Sequence, residues 1–138
     1  TVYDTLNISV APATAVGGNI LTVVPPFPIK TDTVNITYHA QEGNGALANT
    51  TPVFAHTGII TNGSLNYWQN VQGNWGVADS NVLMTDLGNA SHKIEYHMPS
   101  FYAFPPSSTN MTHMSFVFRN TGGTLVGRDI DGGDIYYP

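Results

Sequence analysis

The sequence predicts an all-β protein, an immunoglobulin-like antiparallel β-sandwich of about seven strands with an N-terminal extension strand in front of it. Three observations carry that expectation. No stretch of a dozen residues keeps a helical apolar period. Fourteen glycines and nine prolines interrupt the 138 residues at short intervals. Between those breaks lie short runs rich in β-branched and aromatic residues, as strands require. The length suits one domain with a single core.

The first segment, 1–21, reads as an extension. Over 2–10, Val2, Leu6, Ile8 and Val10 alternate with Tyr3, Thr5, Asn7 and Ser9, so one strand face is apolar apart from Asp4. Gly17-Gly18 then loosens the chain before the sandwich, which is expected over 22–138. A short apolar run at 20–24 ends at Pro25-Pro26-Phe27-Pro28, a stiff connector that cannot lie inside a central strand. Strands are then expected at 33–39, 53–60, 66–70, 82–87, 92–97, 113–119 and 134–137, each bounded by turn-forming residues. Asn62-Gly63 predicts a tight turn, because both residues tolerate positive φ. Pro105-Pro106 makes 102–109 a loop.

Composition excludes several classes of function. Only four residues are Lys or Arg, and the formal charge is −5, so no clustered cations exist to hold nucleic acid or an anionic membrane. No apolar run reaches the length of a membrane span. The absence of cysteine removes thiol catalysis and thiolate metal sites. Six Asn-x-Ser/Thr triplets begin at Asn7, Asn35, Asn49, Asn62, Asn89 and Asn110, where chance would supply about two. Such density predicts an exported, glycosylated, extracellular or cell-surface protein whose signal peptide has been removed, since the sequence starts at Thr1 without a basic or apolar leader.

Catalysis is not expected, because most of the nine carboxylates are isolated in turn-like sequence and no nucleophile elbow occurs. The five histidines have no metal-ligand spacing, and His56 reads as a structural residue bonded within a His-Thr-Gly turn. Asp129, Asp131 and Asp134, separated by glycines, resemble an oxygen-rich loop able to hold Ca²⁺, or else a polar hairpin neutralised by Arg128 or Arg119. Tyr67, Trp68 and Trp75 lie in an amide-rich stretch, which is what stacking on sugar faces requires, although such rings also close sandwich cores. Phe101, Tyr102 and Phe104 offer a second platform of the same kind.

One succession of motifs is similar to a known module. Pro26-Phe27-Pro28 precedes Asp32-Thr33-Val34-Asn35-Ile36-Thr37-Tyr38 and Gly43-Asn44-Gly45-Ala46-Leu47. Val53-Phe54-Ala55-His56-Thr57-Gly58-Ile59-Ile60-Thr61 follows, then Trp68, Trp75-Gly76, Ser115-Phe116-Val117-Phe118-Arg119-Asn120, Gly127-Arg128-Asp129 and Gly133-Asp134-Ile135. Over 24–137 this order resembles the starch-associated, carbohydrate-binding type of β-sandwich module found in secreted multimodular Bacteroidota proteins. The resemblance implies the sandwich fold and a carbohydrate-linked role.

Two functions therefore compete. In the first, the amphipathic strand at 2–10 completes the sheet of a neighbouring copy by donor-strand complementation, and repetition gives a homopolymeric surface filament carrying covalently attached glycans. In the second, the domain is a carbohydrate-binding module that holds a polysaccharide through Tyr67, Trp68 and Trp75. The first is the leading expectation, because it joins the extra strand, the sequons and the low charge. An ordinary first strand of the chain's own sandwich is the other use of 2–10.

Overall fold

Alternation of apolar and polar residues gives each strand one face for a core and one for solvent, and two such sheets bury their apolar faces against each other. The computed structural model describes residues 20–61 and 63–138. The expected extension strand with Val2, Leu6, Ile8 and Val10, and the sequon residues Asn7 and Asn62, lie outside the described residues.

The described strands are β1 (Leu21–Val24), β2 (Thr33–His39), β3 (Phe54–Ile60), β4 (Gln69–Gln72), β5 (Thr85–Gly88), β6 (Ser91–His97), β7 (His113–Arg119), β8 (Val126–Gly127) and β9 (Ile135–Tyr137). They form two antiparallel sheets. One runs β1-β2-β6-β5; the other runs β9-β7-β3-β4, with β8 also paired to β7. In immunoglobulin terms this is A-B-E-D against G-F-C-C′, so the expected β-sandwich is found, with the final edge split into two short pieces around residues 128–134.

Several local expectations change. The strand expected at 66–70 is shifted to β4, because Asn66 and Trp68 cross the outside of the sheet first. The run 82–87 is divided: Asp79 accepts the Asn81 amide at 3.0 Å and starts a 3-10 turn at Ser80–Val82, whose Val82 enters the core before β5 begins. A five-residue helix, α1 (Met98–Tyr102), lies just ahead of the loop expected at 102–109 and shares only Tyr102 with it. It is too short to show a helical period in sequence, but Pro99 in its first turn and left-handed Ala103 at its end are ordinary helix boundaries. The sandwich also takes in Ile20 and Leu21, both fully buried, so the core starts ahead of residue 22.

The core is strongly aromatic. Tyr38 of β2 stacks on Phe118 of β7 with centroids 4.0 Å apart, joining the two sheets. Burying each large side chain of this kind stabilises the fold by about 1.5–3 kcal/mol. A chain of hydroxyls crosses the same interior. Thr57 donates to the Ser115 carbonyl at 2.7 Å, so its oxygen must accept from the Tyr102 hydroxyl at 2.8 Å. Tyr102 in turn accepts from Tyr96 at 2.6 Å. Burial drives the hydroxyl pKa values of Tyr96 and Tyr102 upward, which keeps both protonated as donors. The chain links β3, α1 and β6, and it fixes Tyr102 and Phe104 in the core while Phe101 stacks on Tyr96 at 4.0 Å. Tyr102 and Phe104 are therefore core residues and Phe101 packs against the core, so the three form no second sugar platform.

Tyr102→Phe removes one hydroxyl from the middle of this chain and leaves Thr57 without its donor and Tyr96 without its acceptor. Urea unfolding is expected to show a loss of about 2 kcal/mol with the slope unchanged. Wild-type stability would show that the chain adds nothing to the fold.

Candidate functional site

The outward face of the β3–β7 pair carries the site. In β3, Thr57 points inward to the hydroxyl chain, so His56 and Gly58 on either side point outward. His56 pairs across the ladder with Val117 and Gly58 with Ser115. The expected His-Thr-Gly turn is thus a stretch of central strand. Gly58 is required here for space, because a Cβ would stand 2.9 Å from the Gln69 carbonyl and 3.4 Å from the Trp68 Cβ. That clearance lets the segment after Ser64 lie flat across the sheet and deliver Trp68 beside His56.

Trp75 reaches the same face from the next loop. The His56 ring lies between the two indoles, 6.2 Å from Trp68 and edge-on to Trp75 at 5.2 Å. Arg119, fully buried, packs its guanidinium over Phe54 at 4.8 Å and over Trp75 at 5.6 Å. It donates to the carbonyls of Asn120, Thr121, Asn74 and Val77 at 3.1, 3.0, 2.6 and 2.9 Å. Two loops are therefore tied to one cation. Gly123, at φ +74, lies against the Trp75 Nε1, where a Cβ would overlap the indole. Trp75 is held on three sides and still 43% exposed.

Between these rings is an open groove of about 450 Å³ lined by His56, Asn66, Trp68, Trp75, Val117, Arg128 and Asp134. Arg128 and Asp134 form an ion pair at its rim. Asp134 also lies 3.4 Å from the Tyr136 hydroxyl, which donates to the Leu65 carbonyl at 2.9 Å. Apolar ring faces, amides and a charged pair thus converge on one concave surface.

Burial, and then the neighbouring Arg119 cation, pull the His56 pKa below the ordinary imidazole value. The ring is consequently neutral between the indoles at neutral pH. Burial also lowers the pKa of Arg119, with Asp79 opposing, but an arginine side chain stays charged.

Of the residues expected from sequence, Trp68 and Trp75 meet in the groove; Tyr67 is exposed and lies outside its lining. Of the two arrangements expected for the acidic loop, a Ca²⁺ site or a polar hairpin, the described contacts are those of the hairpin. Among the described residues no cluster of three or more His, Asp or Glu can hold a metal. Asp129 accepts the Ile130 amide, Asp131 accepts the Gly133 amide, and Asp134 is taken by Arg128, so the three carboxylates serve the turn. Of the sequon asparagines, Asn49, Asn89 and Asn110 are exposed and Asn35 is half-buried on β2; none of these four lines the groove. Sequence reasoning overlooked Asn66, Val117 and Arg128 as groove residues. Alternation along β7 could have placed Val117 beside His56, whereas no local signal ties Asn66 or Arg128 to the indoles.

The lowered His56 pKa sets a pH dependence. Above the ordinary value of 6.5, folded and unfolded states are both neutral at this ring and its stabilising contribution is whole. Below that value the unfolded chain takes up a proton that the folded state resists, so stability falls as pH drops. Buried His92, lowered for the same first cause, adds to the fall. Melting temperatures are expected to decrease between about pH 6.5 and about pH 5, and His56→Asn to reduce that decrease. A His56→Asn variant with the wild-type slope would place the titration elsewhere.

No family model matches the chain, and no curated protein matches it.

Proposed function

We infer that the domain is a carbohydrate-binding module whose ligand lies in the groove between Trp68 and Trp75. The observation that carries this reading is the pair of indoles flanking one neutral imidazole beside an amide and a charged pair. Pyranose rings offer apolar C–H faces that stack on indoles, with hydroxyls around their edges that need both donors and acceptors. The groove volume lies within the range of small-molecule sites. Among the described residues no sequon asparagine lines this groove. The motif resemblance to starch-associated modules supports the same reading.

Affinity electrophoresis in gels containing soluble starch or another polysaccharide tests it directly. Retardation of the wild-type domain is expected, with a loss of about tenfold or more in affinity for Trp75→Ala, since one base–aromatic or ring–aromatic stack is worth about 1–3 kcal/mol. Equal migration with and without every polysaccharide tried would overturn it.

The filament reading keeps a specific support. Val24 at the end of β1 and Phe27 and Ile29 after it are exposed apolar residues. A second groove is lined by Ile29, Met111, Met114 and Tyr137, at the start of β7 and the end of β9. A strand carrying Val2, Leu6, Ile8 and Val10 could add there by β-augmentation. Because β1 and β9 are themselves edge strands, one in each sheet, such a strand would add at an edge and not fill a gap. On this reading, deleting residues 1–10 abolishes fibres visible by electron microscopy; fibres that persist after the deletion would rule it out.

A further inference from the structure

We propose that Arg128 and Asp134 act together as a fixed donor–acceptor pair that reads a vicinal diol, and that the groove therefore selects uncharged glycans over acidic ones. The proposal rests on the carbohydrate-binding reading and names the ligand class of that site.

The charge of the groove points to neutrality. Its lining contains one cation, Arg128, and one anion, Asp134, and these are bonded to each other. His56 is held uncharged by burial and by Arg119. Arg119 itself lies behind Trp75 with four carbonyls on its two terminal nitrogens, and its remaining donor, Nε, is buried without a partner, so it presents no donor to a ligand. A uronate or sulfated sugar would need a free cation, and here it would meet the Asp134 carboxylate instead. The described residues also form no metal cluster that could bridge two anions.

The chemistry of the pair fits a polyol. A guanidinium only donates, and a carboxylate only accepts. Adjacent sugar hydroxyls can satisfy both at once: one accepts from Arg128 while its neighbour donates to Asp134. The pair has capacity left for this. Side-chain exposures are 36% for Arg128 and 31% for Asp134. Among the described residues the Arg128 guanidinium bonds only to Asp134, and Asp134 has one further long contact, to Tyr136.

The pair is also held in place by its backbone. The Arg128 amide donates to the Asn44 side-chain oxygen at 3.1 Å, and the Asn44 amide donates to the Arg128 carbonyl at 3.0 Å. Gly43 makes this approach possible, since a Cβ there would overlap the Arg128 carbonyl. The turn between the two residues is closed by the Asp129 amide on the Gly133 carbonyl at 3.0 Å. Asp134 leads directly into β9, and Tyr136 beyond it anchors the Leu65 loop beside the indoles. Little ordering remains to be done when a ligand arrives.

The test compares the wild-type chain with Asp134→Asn, Arg128→Met and Trp75→Ala in gels containing neutral soluble starch or acidic polygalacturonate, at low and high salt. A partly exposed ion pair adds little to stability, so the first two variants should melt close to wild type. The wild type is expected to bind the neutral polymer independently of salt and to ignore the acidic one. Asp134→Asn and Arg128→Met are expected to lose about tenfold in affinity for the neutral polymer, and Asp134→Asn, with Arg128 unpaired, to gain salt-sensitive retardation by polygalacturonate. Wild-type affinity in both pair variants, alongside a loss in Trp75→Ala, would overturn the diol reading and leave the groove as the binding face. Preference of the wild type for polygalacturonate would overturn the neutral class, and binding to neither polymer would overturn both this proposal and the reading beneath it.

Discussion

The buried guanidinium of Arg119 is the constraint on which the outer face of the domain depends. Among the described residues no carboxylate is bonded to it, and its charge is compensated by four carbonyls and two aromatic faces. Burying a cation is expensive unless hydrogen bonds replace its water, so the carbonyls of 74, 77, 120 and 121 must stay where they are. Those carbonyls belong to the two loops that shape one end of the groove. A lysine could not do this, since a point charge lacks the planar fork that reaches four oxygens and lies flat on an indole. The position of Trp75 is therefore a consequence of charge solvation before it is a feature of recognition.

The same strands serve two purposes through simple alternation. On β3, Thr57 points inward and starts a hydroxyl chain through Tyr102 to Tyr96, while His56 and Gly58 point outward to the indoles. On β7, Phe116 and Phe118 fill the core while Val117 and Arg119 form the base and back of the groove. A rigid, aromatic interior holds the outward face still, and that face can then meet a ligand with little loss of entropy. His56 unites the two sides electrostatically: burial first, and then the positive charge of Arg119, disfavour its protonation, so the ring between the indoles stays neutral.

Much of the fold was legible because strand signals in this chain are local. Thr33–His39 and His113–Arg119 are found where their alternation places them, and the proline connector ends β1 as its chemistry demands. Failures have physical causes. A one-turn helix gives no periodicity, so α1 went unseen between the strand expected at 92–97 and the loop expected at 102–109. The two-residue strand β8 depends on Gly127 lying against the Tyr38 ring, a contact distant in sequence. For the site, the two tryptophans were visible as residue types, but their meeting across His56 depends on Gly58 and Gly123 yielding space. The acidic loop was legible only as two alternatives for a related reason: counting carboxylates does not reveal that two bond to their own turn and the third to Arg128.

The central claim is that one preorganised groove, bounded by Trp68 and Trp75 and backed by Arg119, holds an uncharged glycan. Its most direct test is a titration of the isotope-labelled chain with a neutral oligosaccharide, following the two indole N–H resonances by NMR. Both signals are expected to shift together and to saturate at one common affinity. Binding that leaves both indole resonances unmoved would contradict the claim, as would the absence of any change in the spectrum across neutral oligosaccharides.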